Sequence, residues 1–77
     1  MKIEVRLFAT LRQYAPGGRD PSVCELAEGS RVAQVLEKLS VPEEAAKVIL
    51  VNGRQSDEGG LLHDGDRLVI FPPVAGG

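Results

Sequence analysis

The sequence predicts an α+β fold in which one main helix packs on one face of a single mixed sheet. Apolar and charged residues alternate at the start of the chain, as in a strand, and one central segment has the apolar spacing of an amphipathic helix. Two later segments are short, apolar and rich in β-branched residues, as strands are. With 77 residues the chain can bury only one hydrophobic core, so we expect all these elements to form one domain.

The first part of the chain contains two predicted strands. In Lys2–Leu7 every second residue is apolar, which indicates a strand with one buried face. Ala9–Tyr14 is expected to form a helical turn, which the Pro16–Gly18 segment ends. Residues 22–27 predict a second strand, close enough in sequence to pair antiparallel with the first as a hairpin.

The central segment predicts the helix, over residues 31–40. Its apolar residues follow the i, i+3, i+4, i+7 spacing of one helical face: Val32, Val35, Leu36 and Leu39. We expect the hydroxyl of Ser30 to cap the helix by accepting a hydrogen bond from a backbone N–H of the first turn. Pro42 cannot continue the helix, which should therefore end before it.

The remaining strands come next in sequence. Val48–Val51 predicts a strand that ends at the turn signal formed by Asn52 and Gly53. A short apolar segment at residues 61–62 and a turn at residues 63–66 precede the last strand, Arg67–Phe71. Two prolines stop that strand, so we assign residues 1–71 to the folded domain and residues 72–77 to a C-terminal tail.

Composition excludes several classes of protein. The formal charge is -2 and no segment concentrates Lys and Arg, which argues against nucleic acid as a partner. A single cysteine cannot form an internal disulfide, and the N-terminus lacks the apolar core of a signal peptide. No apolar run approaches the roughly 20 residues that span a bilayer. We expect a cytoplasmic protein with no membrane partner.

The usual chemical motifs are absent from the sequence: there is no metal-ligand cluster, phosphate loop or catalytic triad, and no bound cofactor is expected. His63 stands alone in a turn, and Cys24 lies in an apolar strand, so we expect an exposed turn residue and a small core residue. Scattered arginines are consistent with a solvated surface or with contact to an acidic partner: Arg6, Arg12, Arg54 and Arg67.

The tail is the most unusual segment. Pro72 and Pro73 favour an extended conformation that projects from the domain. Val74 and Ala75 are small, and Gly76 and Gly77 have no Cβ, so the tip can enter a narrow channel. A carboxylate at Gly77 is a poor electrophile until it is activated. Adenylation by ATP would activate it, and a sulfur nucleophile would then displace AMP and leave a thiocarboxylate.

The chain resembles the family of molybdopterin synthase small subunits. Four motifs carry the resemblance: VRLFATLRQYAP near the start, VNG at residues 51–53, DGD at residues 64–66, and the final FPPVAGG. The resemblance implies a ubiquitin-like β-grasp fold and a non-catalytic sulfur-carrier role. It also implies that an adenylating enzyme related to the ubiquitin activators uses ATP to activate Gly77, after which a sulfur donor protein supplies the sulfur.

In that family the tail enters a larger catalytic subunit, which transfers sulfur to cyclic pyranopterin monophosphate for the molybdenum or tungsten cofactor. Two small and two large subunits form a heterotetramer. A β-grasp sheet also places the first and last strands side by side. Phe8, Val69 and Phe71 should then form an apolar patch on the open sheet face, where a partner that holds the tail would bind.

Three other functions stay open. The same chemistry would serve a sulfur carrier for thiamine or another sulfur metabolite. A ubiquitin-like modifier would instead join Gly77 to a lysine of a target protein. A plain interaction module would bind a partner through its sheet and have a chemically idle tail.

Overall fold

One helix covers one face of a five-stranded mixed sheet, which confirms the predicted fold class. The computed structural model describes residues 1–46 and 48–73. Three short 3₁₀ segments lie at Ala9–Tyr14, Pro16–Gly18 and Glu43–Ala45. Within the described residues, no helix combines the length and the apolar composition that crossing a membrane requires. The principal elements are β1 (Lys2–Leu7), β2 (Ser22–Glu25), α1 (Val32–Leu39), β3 (Val48–Val51), β4 (Arg54–Ser56) and β5 (Arg67–Phe71).

The first and last strands form the centre of the sheet. The strand order is β2-β1-β5-β3-β4, and β1 pairs with β5 in parallel, with Val5 opposite Leu68 and Leu7 opposite Ile70. The hairpin partner β2 is antiparallel to β1, as predicted, and β3 is antiparallel to β5. The chain therefore begins and ends on adjacent strands.

The hydrophobic core lies between the sheet and α1. Odd-numbered residues of β1 and even-numbered residues of β5 point toward the helix, as the period of two predicts. Burial of each such side chain contributes on the order of 2 kcal/mol to folding. The core residues with at most 5% exposure in these three elements are Ile3, Val5, Leu7, Leu68, Ile70, Val32, Val35 and Leu36.

The strand β4 was not predicted from the sequence. Asn52 and Gly53 both have positive φ, at 53° and 82°, and form the two-residue turn that returns the chain along β3. Arg54 then pairs with Val51, and Ser56 with Ile49. This edge strand has three polar residues, so no alternation of apolar and polar residues marks it.

The start of the helix also differs from the prediction. Ser30 does not cap it, because its hydroxyl donates to the Ala27 carbonyl at 2.7 Å. Arg31 is the N-cap, and its backbone N–H donates to Oε1 of Gln34 at 2.6 Å. The reason is tertiary: Arg31 forms a β-bridge with Leu61, which keeps the segment before α1 extended.

A segment distant in sequence caps the first turn of α1. The backbone N–H groups of Val32 and Ala33 donate to the carbonyls of Gly60 and Glu58, each at 2.9 Å. Nη1 of Arg31 also donates to a carbonyl of this segment, at 2.6 Å. Backbone donors that a local side chain would ordinarily satisfy are satisfied here by residues 58–60.

Gly60→Ala should destabilise the fold by about 1–3 kcal/mol, because the chain is close-packed there. A Cβ on Gly60 would contact Oγ of Ser56 and lie 3.2 Å from the Asp57 carbonyl oxygen, which belongs to the backbone. Gly59→Ala is the matched control, since its Cβ would meet only a side-chain oxygen, at 3.3 Å. Urea unfolding of both variants measures the free energy of unfolding. An equal decrease in the two variants would contradict the close packing at Gly60.

Candidate functional site: the open sheet face beside the tail

The sheet face opposite the helix carries a row of apolar side chains on its central strands. Val69 of β5 lies opposite Leu50 of β3, and Phe71 lies opposite Val48. Val69 and Phe71 alternate with the buried residues of β5, so their side chains point away from the core. The outward phase expected for these two residues is therefore observed.

Phe8 and Phe71 lie against each other at one end of this face. Their ring centroids are 4.6 Å apart and the ring planes differ by 19°, a stacked arrangement. Both rings are half-buried, so neither fills the core. The backbone N–H of Phe8 donates to the Ile70 carbonyl at 3.2 Å, which extends the β1–β5 pairing by one residue. A stacked pair contributes about 1 kcal/mol beyond the area that it buries.

These residues define an apolar surface, called here the open-face patch: Phe8, Val48, Leu50, Val69 and Phe71. Three of its members were predicted from the sequence, and Val48 and Leu50 were not. All four residues of β3 are apolar, so periodicity does not indicate which of them face outward. The register with β5 shows that Val48 and Leu50 face outward, because they lie opposite Phe71 and Val69. Val48 is 38% exposed.

The tail begins at this patch. Phe71 is the last residue of β5, Pro72 is half-buried and Pro73 is exposed. The four residues Val74, Ala75, Gly76 and Gly77 lie outside the described part of the chain. An extended tail and a modified Gly77 therefore stay predictions, whereas the structure shows that Phe71 places the start of the tail beside Phe8.

Cys24 and His63 lie away from the patch. Cys24 belongs to the core with 3% exposure, and burial raises the pKa of its thiol, with a smaller opposing effect of Lys38. A buried thiol with a raised pKa is a poor nucleophile. The His63 side chain is 74% exposed in its turn. Among residues 1–46 and 48–73, no group of three or more His, Cys, Asp or Glu side chains is placed to hold a metal ion.

A polar cluster joins the VNG and DGD turns at the end of the sheet away from the tail. Nδ2 of Asn52 donates to the Asp66 carboxylate at 2.8 Å, and Oδ1 of Asn52 accepts from the Arg67 backbone at 2.9 Å. The backbone N–H of His63 donates to Asp66 at 2.8 Å. The Asn52 hydrogen bond, aided by His63, lowers the pKa of Asp66. These two motifs therefore hold the sheet together and lie apart from the patch.

This architecture defines the ubiquitin-like β-grasp class of small proteins: a mixed sheet with parallel first and last strands, and one helix on one face. The chain belongs to the ThiS family, whose model matches residues 5–77. It is thus a small carrier domain of the ThiS-like sulfur-carrier kind, a kind that is generally non-catalytic.

Several solved structures are similar to this chain and support the family assignment. A putative molybdopterin converting factor, subunit 1, from Pyrococcus furiosus is 37% identical with a TM-score of 0.74, over 95% of this chain and 98% of that one. SAMP1, the small archaeal modifier protein 1 of Haloferax volcanii, is 25% identical with a TM-score of 0.78 over the full length of both chains. A chain of the Amycolatopsis orientalis BexX/CysO complex is 25% identical with a TM-score of 0.64, over 97% and 99%. No curated protein sequence matches the chain.

The Asp66 carboxylate should make the free energy of unfolding depend on pH in the acid range. Because its pKa is lowered in the folded state, the unfolded state binds more protons between the folded value and the ordinary value of 3.8. The stabilisation should be complete above that ordinary value and decline as the pH falls through the folded pKa.

Chemical unfolding of the unaltered protein and of Asp66→Asn across this range measures the effect. The difference in free energy of unfolding between the two proteins should be largest at neutral pH and should shrink below pH 3.8. Asn52→Ala removes the principal donor and should weaken the pH dependence. Parallel pH profiles for the unaltered protein and Asp66→Asn would refute the assignment.

Proposed function

We propose that this protein carries sulfur as a thiocarboxylate on Gly77 and donates it to a pterin precursor, cyclic pyranopterin monophosphate, in molybdenum cofactor synthesis. The observation that carries the proposal is the family match, which extends through Gly77 and includes the tail. The likeness to the putative molybdopterin converting factor subunit of Pyrococcus furiosus supports the choice of pathway.

The chemistry requires little of the carrier beyond an accessible carboxylate. Attack of the Gly77 carboxylate on the α-phosphate of ATP forms an acyl-adenylate and releases pyrophosphate. Hydrosulfide supplied by a donor protein then attacks the acyl carbon, and the bond to AMP breaks, which leaves the thiocarboxylate and free AMP. ATP is therefore bound by an adenylating enzyme, and the carrier contributes a narrow Gly76-Gly77 tip that fits a confined site.

We assign the open-face patch to partner binding. Any protein that draws the tail into a channel must also contact the surface from which the tail emerges, and Phe71 joins that surface directly to Pro72. Buried aromatic side chains commonly dominate such interfaces. The proposed partners are an adenylating enzyme related to the ubiquitin activators and the large catalytic subunit of molybdopterin synthase, with two copies of each subunit in a heterotetramer.

A second function, protein modification, is favoured by the likeness to the small archaeal modifier protein 1 of Haloferax volcanii. Activated Gly77 would then be attacked by a lysine amine of a target protein and form an isopeptide bond. Both functions share the adenylate and differ in the nucleophile. A carrier for thiamine or another sulfur metabolite would differ only in the final acceptor.

Intact-mass analysis of protein isolated from its native cells, after alkylation of any thiocarboxylate, tests the proposal. We expect one oxygen replaced by sulfur, with the alkyl label on a C-terminal peptide that ends at Gly77. Deletion of Gly77 should abolish the label and the transfer of sulfur to the pterin precursor. The core should be unaffected, since every strand and the helix that the structure describes lie within residues 1–71.

A free carboxylate after incubation with ATP, a sulfur source and cell extract would refute the carrier function. Gly-Gly remnants on lysines of other proteins, without sulfur transfer, would favour the modifier. A labelled Gly77 combined with failure to form the pterin product would retain the carrier chemistry and reject this pathway.

The patch is tested by Phe8→Ala, which removes one ring of the stacked pair. Binding of the large subunit, measured by calorimetry, should weaken about tenfold or more, as truncation of an aromatic anchor commonly does. Leu61→Ala is the matched control, since Leu61 is a 45% exposed apolar residue outside the patch. It should leave the affinity nearly unchanged, and an equal loss in both variants would contradict a specific role for the patch.

A further inference from the structure

Charged side chains border the open-face patch, and those farther from the tail lie beside opposite charges. Lys2 of β1 is opposite Glu25 of β2. The carboxylate of Glu4 accepts a hydrogen bond of 2.9 Å from Nε of Arg67, its register partner in β5. Adjacent strands therefore place opposite charges side by side, and Glu4 and Arg67 form an ion pair.

Arg6 differs from these residues. Its register partner in β5 is the apolar Val69, which in turn lies opposite Leu50. The Arg6 side chain is exposed and, within residues 1–46 and 48–73, makes neither an ion pair nor a side-chain hydrogen bond. Phe8 follows two residues later on the same face. An uncompensated positive charge thus adjoins the patch.

A partner that covers the patch must also cover Arg6. Residues i and i+2 of a strand lie about 7 Å apart on one face, which is well within the footprint of a protein interface. Removal of water from an unpaired guanidinium is costly unless an acceptor replaces that water. A carboxylate can do so through two parallel hydrogen bonds. A purely apolar partner surface would be penalised at this position.

We infer that Arg6 is a specificity-determining residue, which selects a partner that presents a carboxylate beside the apolar pocket that receives Phe8 and Phe71. The inference rests on the proposed function, because the partner in question is the adenylating enzyme that must bind the tail first. With a net charge of -2 the protein as a whole does not attract an acidic surface, so this recognition depends on the local pair.

Kinetic measurements with the adenylating enzyme of the same organism test the inference. Pyrophosphate release at varied carrier concentration gives kcat and KM for the unaltered protein, Arg6→Gln and Arg6→Glu. We expect KM to rise about fivefold for Arg6→Gln and more for Arg6→Glu, with kcat nearly unchanged, since Arg6 binds the partner and not the reacting atoms. A rise in ionic strength of about tenfold should increase KM for the unaltered protein more than for Arg6→Gln.

Arg54→Gln and Arg54→Glu are the matched controls. Arg54 is an exposed strand arginine opposite Val51, whose side chain packs on the core, and it lies outside the patch. Its substitution should leave KM within about twofold of the unaltered value. An unchanged KM for Arg6→Glu, or an equal rise for Arg54→Glu, would overturn the inference and retain the proposed function. No adenylation of the unaltered protein would overturn both.

Discussion

The parallel pairing of β1 with β5 is the interaction on which the rest of the structure depends. It joins the first strand to the last, and its register places Val5 and Leu7 beside Leu68 and Ile70 on the helix side. The same register determines the opposite face, because side chains alternate along both strands. One set of backbone hydrogen bonds therefore positions the core, the open-face patch and the start of the tail.

The two ends of the sheet have different roles. At one end, the side chains of Asn52 and Asp66 join two turns through hydrogen bonds and satisfy backbone donors. At the other end, Phe8 and Phe71 leave apolar surface exposed beside the prolines. A small domain has few residues available for stability. Concentration of its polar hydrogen bonds at one end leaves the other end free for recognition.

The proposed chemistry explains why the described residues contain so little reactive machinery. The reacting group would be a backbone carboxylate, and ATP, sulfur and acceptor would each be bound by another protein. The surface of the carrier must then discriminate among partners, and the patch with Arg6 at its border is suited to that task. Apolar area supplies affinity in such an interface, and an unpaired charge supplies selectivity.

The sequence by itself determined the fold class, the phase of β1 and β5, the outward position of Phe8, Val69 and Phe71, and the family, because local periodicity and the final motif carry that information. Only the tertiary structure decided the rest. The polar strand β4, the outward phase of the uniformly apolar β3, and the capping of α1 by Gly60 and Glu58 in place of Ser30 all arise from contacts between distant segments. No local pattern records such contacts, since register and backbone pairing are settled only when the chain packs together.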